Sequence, residues 1–326
     1  MALNVASFKT RNAIEGHSLR YANERTEFIA DDIFPPVMIE KAEVKVYQYD
    51  TSNMRYVDTQ KDSKAEADLV DYGAFTVNRT ARLHKLAGEI DPADEREFDP
   101  AVADISMDMA ETIMERLLIA KEIAASTLVE TTGNYPSALT ATLTAGSTWL
   151  DAAGDPETNS ATARSAVKGL CGKAPNAAAM SWDTFDKLRA APYFIDRMKY
   201  TSGSITGEAF KTMLAAWMGV QSISVGGGLK NTNLESNATQ TLSNIWADGI
   251  LFYVKNPSPS KRVVRYGANY IRNQLYTHKY QVEERGSGDG RIQRLEMGWW
   301  YVLQPSCVVS SSNDDFTAGY YLDNVV

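Results

Sequence analysis

The side chains that carry out most enzyme chemistry are scarce in this chain and poorly spaced for it. Three histidines, His17, His84 and His278, stand in separate segments with no ligand spacing to one another or to a cysteine, whereas a zinc site needs several such ligands brought together. Cys171 and Cys307 are far apart with no CxxC pattern, which reads as two free thiols of a reducing compartment. Neither a G-x-S-x-G elbow nor a G-x-x-x-x-G-K-[ST] loop is present. Gly226-Gly227-Gly228 follows a strand-like run and could cradle a phosphate, because glycine lets backbone N–H groups approach an anion closely. No Lys-Ser/Thr pair or helix start follows it, so a flexible surface loop is the simpler reading. Carboxylate pairs such as Asp91/Asp94 and Asp314/Asp315 sit in solvated runs, while acid–base catalysis needs two carboxyls in contrasting environments. Trp299-Trp300 could stack on a base or a sugar, but within a β run packing is the simpler role. The expectation is a protein that is not an enzyme and uses no metal or cofactor.

Composition narrows the class further. The chain has 326 residues, 44% hydrophobic and 23% charged, which is ordinary for a globular protein with one or two domains. Its formal net charge of −8 argues against nucleic-acid binding by the whole surface. Local basic groups remain, above all Lys261-Arg262 with Arg265, and Lys9, Arg11, Arg20 and Arg25 near the start, which Glu15, Glu24 and Glu27 dilute. The longest apolar runs fall far short of the roughly 20 residues that a membrane helix needs. Residues 1–11 lack the apolar core of a signal peptide, so export is not expected.

The elements that would position any site fall into three stretches. Residues 1–42 read as a polar extended arm ending in Asp31-Asp32-Ile33-Phe34-Pro35-Pro36. Two alternating runs, 43–50 and 72–80, read as the strands of a hairpin joined by a long charged tip around 59–68. Such a ribbon and arm have too little apolar surface to fold alone, so the first hundred residues are expected to lie on a neighbouring copy. A helix follows over 99–130, with Asp99-Pro100 at its start and Ile105, Met109, Ile113 and Leu117 repeating along one face, extended by Leu118, Ala124 and Leu128. Beyond it, helices over 159–170, 182–190 and 205–218 alternate with short strands at 176–181, 221–225 and 244–254. The last seventy residues turn to β, with a hairpin of 270–282 and 292–303 and a final strand near Gly319-Tyr320-Tyr321.

This order of elements resembles the major capsid proteins of tailed bacteriophages, whose fold is named after phage Hong Kong 97. Ile29-Ala30-Asp31-Asp32-Ile33-Phe34-Pro35 before a Val44-Lys45-Val46-Tyr47-Gln48-Tyr49-Asp50 strand is similar to their arm-to-loop junction. Leu117-Leu118-Ile119-Ala120-Lys121-Glu122, Asn134-Tyr135-Pro136 and Trp149-Leu150-Asp151 match their middle. Leu188-Arg189-Ala190-Ala191-Pro192, Asp196-Arg197-Met198-Lys199-Tyr200 and the closing Ala318-Gly319-Tyr320 are similar too. Each motif alone is weak; their order over most of the chain is more specific.

The resemblance implies an α+β capsid fold: an N-terminal arm (1–42), an extended β-hairpin loop (43–90), a spine helix opening a peripheral domain (91–154), a mixed α/β axial domain (155–260), and a mainly peripheral β-sheet with a C-terminal strand (261–326). It implies pentamers and hexamers closing into an icosahedral shell around double-stranded DNA in a virion, assembled in a bacterial cytoplasm, with no membrane. Partners would be further copies of the chain, a separate scaffolding protein, since only some forty residues precede the loop, a portal and a decoration protein. Phe34, Pro35, Tyr47, Tyr49, Lys61, Lys64 and Phe75 would be inter-subunit contacts, and Lys261, Arg262 and Arg265 would face DNA weakly. Lys61 or Lys64 could donate an inter-subunit crosslink, but no motif marks an acceptor, so non-covalent assembly is expected. A cellular compartment of the same fold that holds a protein cargo, of the encapsulin type, is the rival reading, and an enzyme using residues 226–228 for a phosphate ligand a remoter one.

Overall fold

The computed structural model describes residues 27–49, 55–61, 66–70, 74–90, 105–198, 207–231, 233, 241–258, 263–283, 291–305 and 317–326. Along the chain these form α1 (Ala30–Ile33), β1 (Pro36–Met38), β2 (Glu43–Tyr49), β3 (Ala74–Thr80), β4 (Arg82–Ile90) and the long α2 (Ile105–Glu130). There follow β5 (Thr140–Thr142), α3 (Pro156–Cys171), β6 (Ala177–Ser181), α4 (Trp182–Arg189), α5 (Pro192–Met198), α6 (Gly207–Met218), β7 (Ser222–Gly226), β8 (Leu229–Asn231), β9 (Leu242–Asn244) and β10 (Ile250–Tyr253). The chain closes with β11 (Gly267–Glu283), β12 (Arg291–Pro305) and β13 (Gly319–Asp323).

Two sheets carry the architecture. The five-stranded one runs β5-β13-β10-β6-β7, and the four-stranded one β1-β11-β12-β4. In the first, β6 and β10 are buried at every position, which is why they read as unbroken apolar runs rather than alternating ones. Helix α3 lies against β13, α4 against β6 and α6 against β7. Their ends follow from local chemistry: the Asp155 carboxylate accepts from Thr158 N–H at 3.0 Å with Pro156 opening α3, and Gly172 closes that helix at φ 73°. Ser181 caps α4 in the same way.

Helix α2 joins the two sheets. Its first half packs Ala110, Ile113, Met114, Leu117 and Leu118 on Ile90, Leu295 and Met297 of the four-stranded sheet. Its second half sends Ala125 and Val129 into the main core. The apolar repeat predicts the first half well. Past Leu118 the buried face holds Lys121 and Glu122, at 3% and 1% exposure, while Ala124 and Leu128 are half-buried. The Asp99-Pro100 start lies outside the described residues.

Several expectations change. The arm is not a free extension over its last part, because Ile29, Ala30, Ile33 and Phe34 are buried in the main core and β1 pairs in parallel with β11. Gly267 owes its identity to this docking: a Cβ there would stand 2.5 Å from the Phe34 ring. Residues 82–90, placed in the extended loop by sequence, pair antiparallel with β12 from Tyr301↔Arg82 to Gln293↔Ile90 and so belong to the sheet. The expectation that the first hundred residues lie on a neighbouring copy therefore fails for residues 29–38 and 82–90, which pack within their own chain. The β2–β3 hairpin forms its own two-stranded sheet, in the register Glu43↔Thr80 to Tyr49↔Ala74, and its root packs Val44 and Val46 on Ala268 and Tyr270 of β11 and Val302 of β12. The single strand expected at 244–254 is interrupted: residues 245–249 leave the extended path, with Ser126 Oγ donating to Ile245 O at 3.0 Å and Ala247 N–H donating to a Glu130 carboxylate oxygen at 2.6 Å.

Candidate functional site

The densest polar cluster ties the arm to α2. Helix α1 is one turn long and begins at Ile29 without a side-chain cap, so its first N–H groups need outside acceptors. Glu122 supplies them. One carboxylate oxygen accepts from Ile29 N–H at 2.8 Å and from Trp246 Nε1–H at 2.8 Å, and the other accepts from Ala30 N–H at 3.0 Å. Burial pushes the Glu122 carboxyl above its usual range, opposed by these donors and by Lys121. Such charge-assisted bonds in a dry site are strong and directional.

Lys121 turns the other way around α2 to Asp31, its Nζ 2.5 and 2.6 Å from the two carboxylate oxygens and 5.0 Å above the Trp299 ring. Asn269 Nδ2 also donates to Asp31, at 3.4 Å. Its neighbour Asp32 points elsewhere, accepting from Ser224 Oγ at 3.0 Å and lying 3.3 Å from Lys255 Nζ. The consecutive aspartates thus hold one turn against α2, β11, β7 and the segment after β10. Nearby, Tyr135 donates its hydroxyl proton to Val129 O at 2.8 Å, so Tyr266 is the donor in the 2.6 Å contact between the two hydroxyls. Burial raises the Tyr135 hydroxyl well above its usual range. Phe34 packs on Tyr266 with ring centroids 5.7 Å apart.

The expected site residues fall in different environments. Phe34 is fully buried and Pro35 is buried, which corrects their assignment as contacts between subunits: they are core residues of their own chain. Tyr47, Tyr49 and Phe75 lie on β2 and β3, and their side chains are outside the described set. Lys61 is exposed and pairs with Asp68 at 2.9 Å across the loop; Lys64 is outside the described residues, as are Lys261 and Arg262. Arg265 is 7% exposed and donates to Ser258 O at 3.2 Å and to the Tyr270 hydroxyl at 3.1 Å. That corrects its assignment to a DNA-facing surface, since a guanidinium consumed inside the fold has no phosphate to meet.

Glycines 226–228 are not an anion cradle either. Gly227 N–H donates to Glu27 O at 3.1 Å, and a Cβ on Gly226 would stand 2.6 Å from the Trp246 ring and 3.1 Å from Ile29. The glycines make room for the arm. Sequence reading also missed the apolar flanks of the loop: Tyr56, Leu69 and Val70 are 88%, 99% and 77% exposed. Leu69-Val70 directly after the charged run was the available signal. Among the described residues no cluster of three or more His, Cys, Asp or Glu is placed to hold a metal, and no helix is long and apolar enough to cross a membrane.

No family model matches the sequence. It is 22% identical over 242 residues to the major capsid protein of Burkholderia phage BcepMu, covering 73% of this chain and 74% of that one. In structure it is similar to a phage-related protein from Bordetella bronchiseptica RB50, with a TM-score of 0.69, 17% identity and coverage of 96% and 97% of the two chains. A virus-like particle protein from Pyrococcus furiosus aligns with a TM-score of 0.54, 10% identity and coverage of 95% and 98%. A capsid protein assigned to a prophage of E. coli CFT073 aligns with a TM-score of 0.50, 12% identity and coverage of 99% of both chains, so with its two sheets bridged by one long helix the chain has the Hong Kong 97-like α+β fold of phage capsid proteins and resembles a phage major capsid protein in sequence.

Proposed function

We propose that the chain is the shell-forming subunit of a tailed-phage head, assembling into pentamers and hexamers that enclose double-stranded DNA. The observation that carries the reading is the loop. Tyr56, Leu69 and Val70 are 77 to 99% exposed on the connection between β2 and β3, whose described residues join neither of the two large sheets, in a chain whose fold and sequence are similar to those of capsid proteins. Burying side chains of this size is worth ~1.5–3 kcal/mol each. A single copy gains none of that, whereas a shell repeats the contact at every subunit. The hairpin (43–80) and the residues before 27 are the joining parts in this reading. The two sheets and α2 form the body, divided between axial and peripheral regions near residue 260.

The role is structural, without a catalytic step. Scaffold, portal and decoration proteins would be separate partners, assembly would occur in the host cytoplasm, and DNA contact would be weak and non-specific, as the net charge of −8 favours. Lys61, already paired with Asp68, suits non-covalent assembly. The sequence likeness to a phage major capsid protein supports this reading over a cellular compartment of the same fold. Electron microscopy of the expressed chain tests it, with and without a co-expressed scaffold. Uniform closed shells are the expected result; a chain that stays monomeric under both conditions overturns it. Particles purified from cells and found to hold a packaged enzyme and no DNA would transfer the chain to the compartment class.

A further inference from the structure

The hairpin's two legs come from opposite edges of the four-stranded sheet. In the order β1-β11-β12-β4, β1 leads into β2 through residues 39–42, while β3 passes into β4 through Ala81 alone. Three strand spacings separate the edges, ~14 Å, against ~5 Å between paired strands. The legs therefore have to converge over β11 and β12, and Ala81 N–H donates to Ala42 O at 2.8 Å where they meet.

The register decides which face of the ribbon turns to the sheet. Val44 is opposite Arg79 and Val46 opposite Val77, and residues opposite one another share a face. On the other face Glu43, Lys45, Thr76, Asn78 and Thr80 are exposed. Val46 is buried with Ala268 and Tyr270 in a small apolar cluster of its own. Arg265 holds Tyr270, the largest side chain of that seat, by donating to its hydroxyl at 3.1 Å. On the same face of the ribbon Arg79 Nε donates to Gln304 Oε1 at 2.5 Å. Gln304 is 2% exposed, and its Nε2 donates to Pro305 O at 2.9 Å, which turns its carbonyl oxygen toward the arginine. A buried acceptor met by a guanidinium makes a strong, directional bond.

We propose that this root aims the loop. The Arg79–Gln304 bond and the apolar seat set the angle at which the hairpin leaves its own subunit, and so where Tyr56, Leu69 and Val70 meet the next copy. The inference rests on the shell function proposed above and assigns positioning residues to it. Glu43 to Tyr49 is a lever of ~20 Å at the rise of a strand. A tilt of ~10° at the root moves the far end of that lever by ~3.5 Å, enough to part side chains that touch at ~4 Å. Contacts between subunits are thus controlled from Gln304, a buried residue inside one of them.

The test uses the full chain. Gln304→Met removes the acceptor at nearly constant volume, Arg79→Met removes the donor, and Arg79→Lys keeps a cationic donor one atom beyond Nε. Each Met variant is expected to raise the concentration needed for half-assembly ~fivefold or to give shells of mixed size, with a fall in subunit Tm of ~3 °C or less. Arg79→Lys is expected to assemble within ~twofold of wild type. Spin labels on Thr76→Cys and Thr162→Cys, both exposed positions, in a Cys171→Ala, Cys307→Ser background read the hairpin's orientation in the unassembled subunit. One narrow distance is expected with Gln304 in place and a broad distribution with Gln304→Met. Shells of wild-type size formed at the wild-type concentration by both Met variants overturn the proposal, as does a distribution that stays narrow in Gln304→Met. A wild-type chain that never assembles sinks the shell reading instead, and the label distances then still decide whether the root fixes the hairpin.

Discussion

The Lys121–Asp31 pair makes an asymmetric prediction, because its partners are unequally buried. The Lys121 side chain is 4% exposed and that of Asp31 53%. Asp31→Ala removes the solvated partner and leaves the ammonium inside the fold, with the Trp299 face 5.0 Å away and the Glu122 carboxylate as its remaining electrostatic partners. Breaking a buried pair in this way costs ~3–5 kcal/mol, and the cation–π contact reduces that to ~2–4 kcal/mol. Lys121→Met removes the buried charge instead and fills its place with a side chain of similar length. The carboxylate left behind can hydrate, so the loss is ~1 kcal/mol. The double variant should therefore be more stable than Asp31→Ala alone, although it carries one more substitution. With an unfolding entropy of ~2.1 cal/mol/K per residue, 326 residues convert ~3 kcal/mol into a fall of ~4–5 °C in Tm. Calorimetry and urea unfolding of the soluble chain measure this directly. If Lys121→Met were the costlier single change, or the double variant no more stable than Asp31→Ala, the buried-charge account would fail.

Other expectations follow from the same geometry. The Glu122 carboxyl is raised above its unfolded value, so its contribution to stability is fully present below the unfolded value and is lost as pH rises through the raised one. Glu122→Gln should flatten that part of a stability–pH profile, and an unchanged slope would count against the burial argument. Gly226→Ala must displace the Trp246 ring or Ile29, an overpacking cost of ~1–3 kcal/mol readable by urea unfolding; wild-type stability would show that the arm does not seat there. Leu69→Asp with Val70→Asp should leave the unfolding free energy within ~0.5 kcal/mol while light scattering shows loss of shells; shells of normal yield would remove the loop from the interface.

The hairpin, α2 and most strands were legible because their apolar residues alternate or repeat along a single exposed-to-buried gradient. Residues 43–49 and 74–80 show this, as does the first half of α2. The junction was not legible, for a physical reason. Lys121 and Glu122 carry the residue types of a solvated helix face, and only the arm's N–H groups and Asp31, some 90 positions earlier, make them interior. Arg265 misled for the same reason, its acceptors Ser258 O and Tyr270 being invisible to composition. The motifs around Asp31 and around Lys121-Glu122 stand far apart in sequence, and the fold bonds them directly to each other. Residues 82–90 lack a period-2 pattern, and the strand that makes them part of a sheet, β12, comes from the far end of the sequence.

That last pairing governs when the protein can become itself during synthesis. The four-stranded sheet places β1 and β4 from the first quarter of the chain beside β11 and β12 from the last. Some two hundred residues separate β4 from the strand it must join. At ~5–20 residues per second a ribosome takes ~10–40 s to cover that distance, and throughout it β4 has no ladder partner. The arm waits as well, because Phe34 needs Gly267 and Tyr266. The subunit is therefore completed only once translation is nearly over.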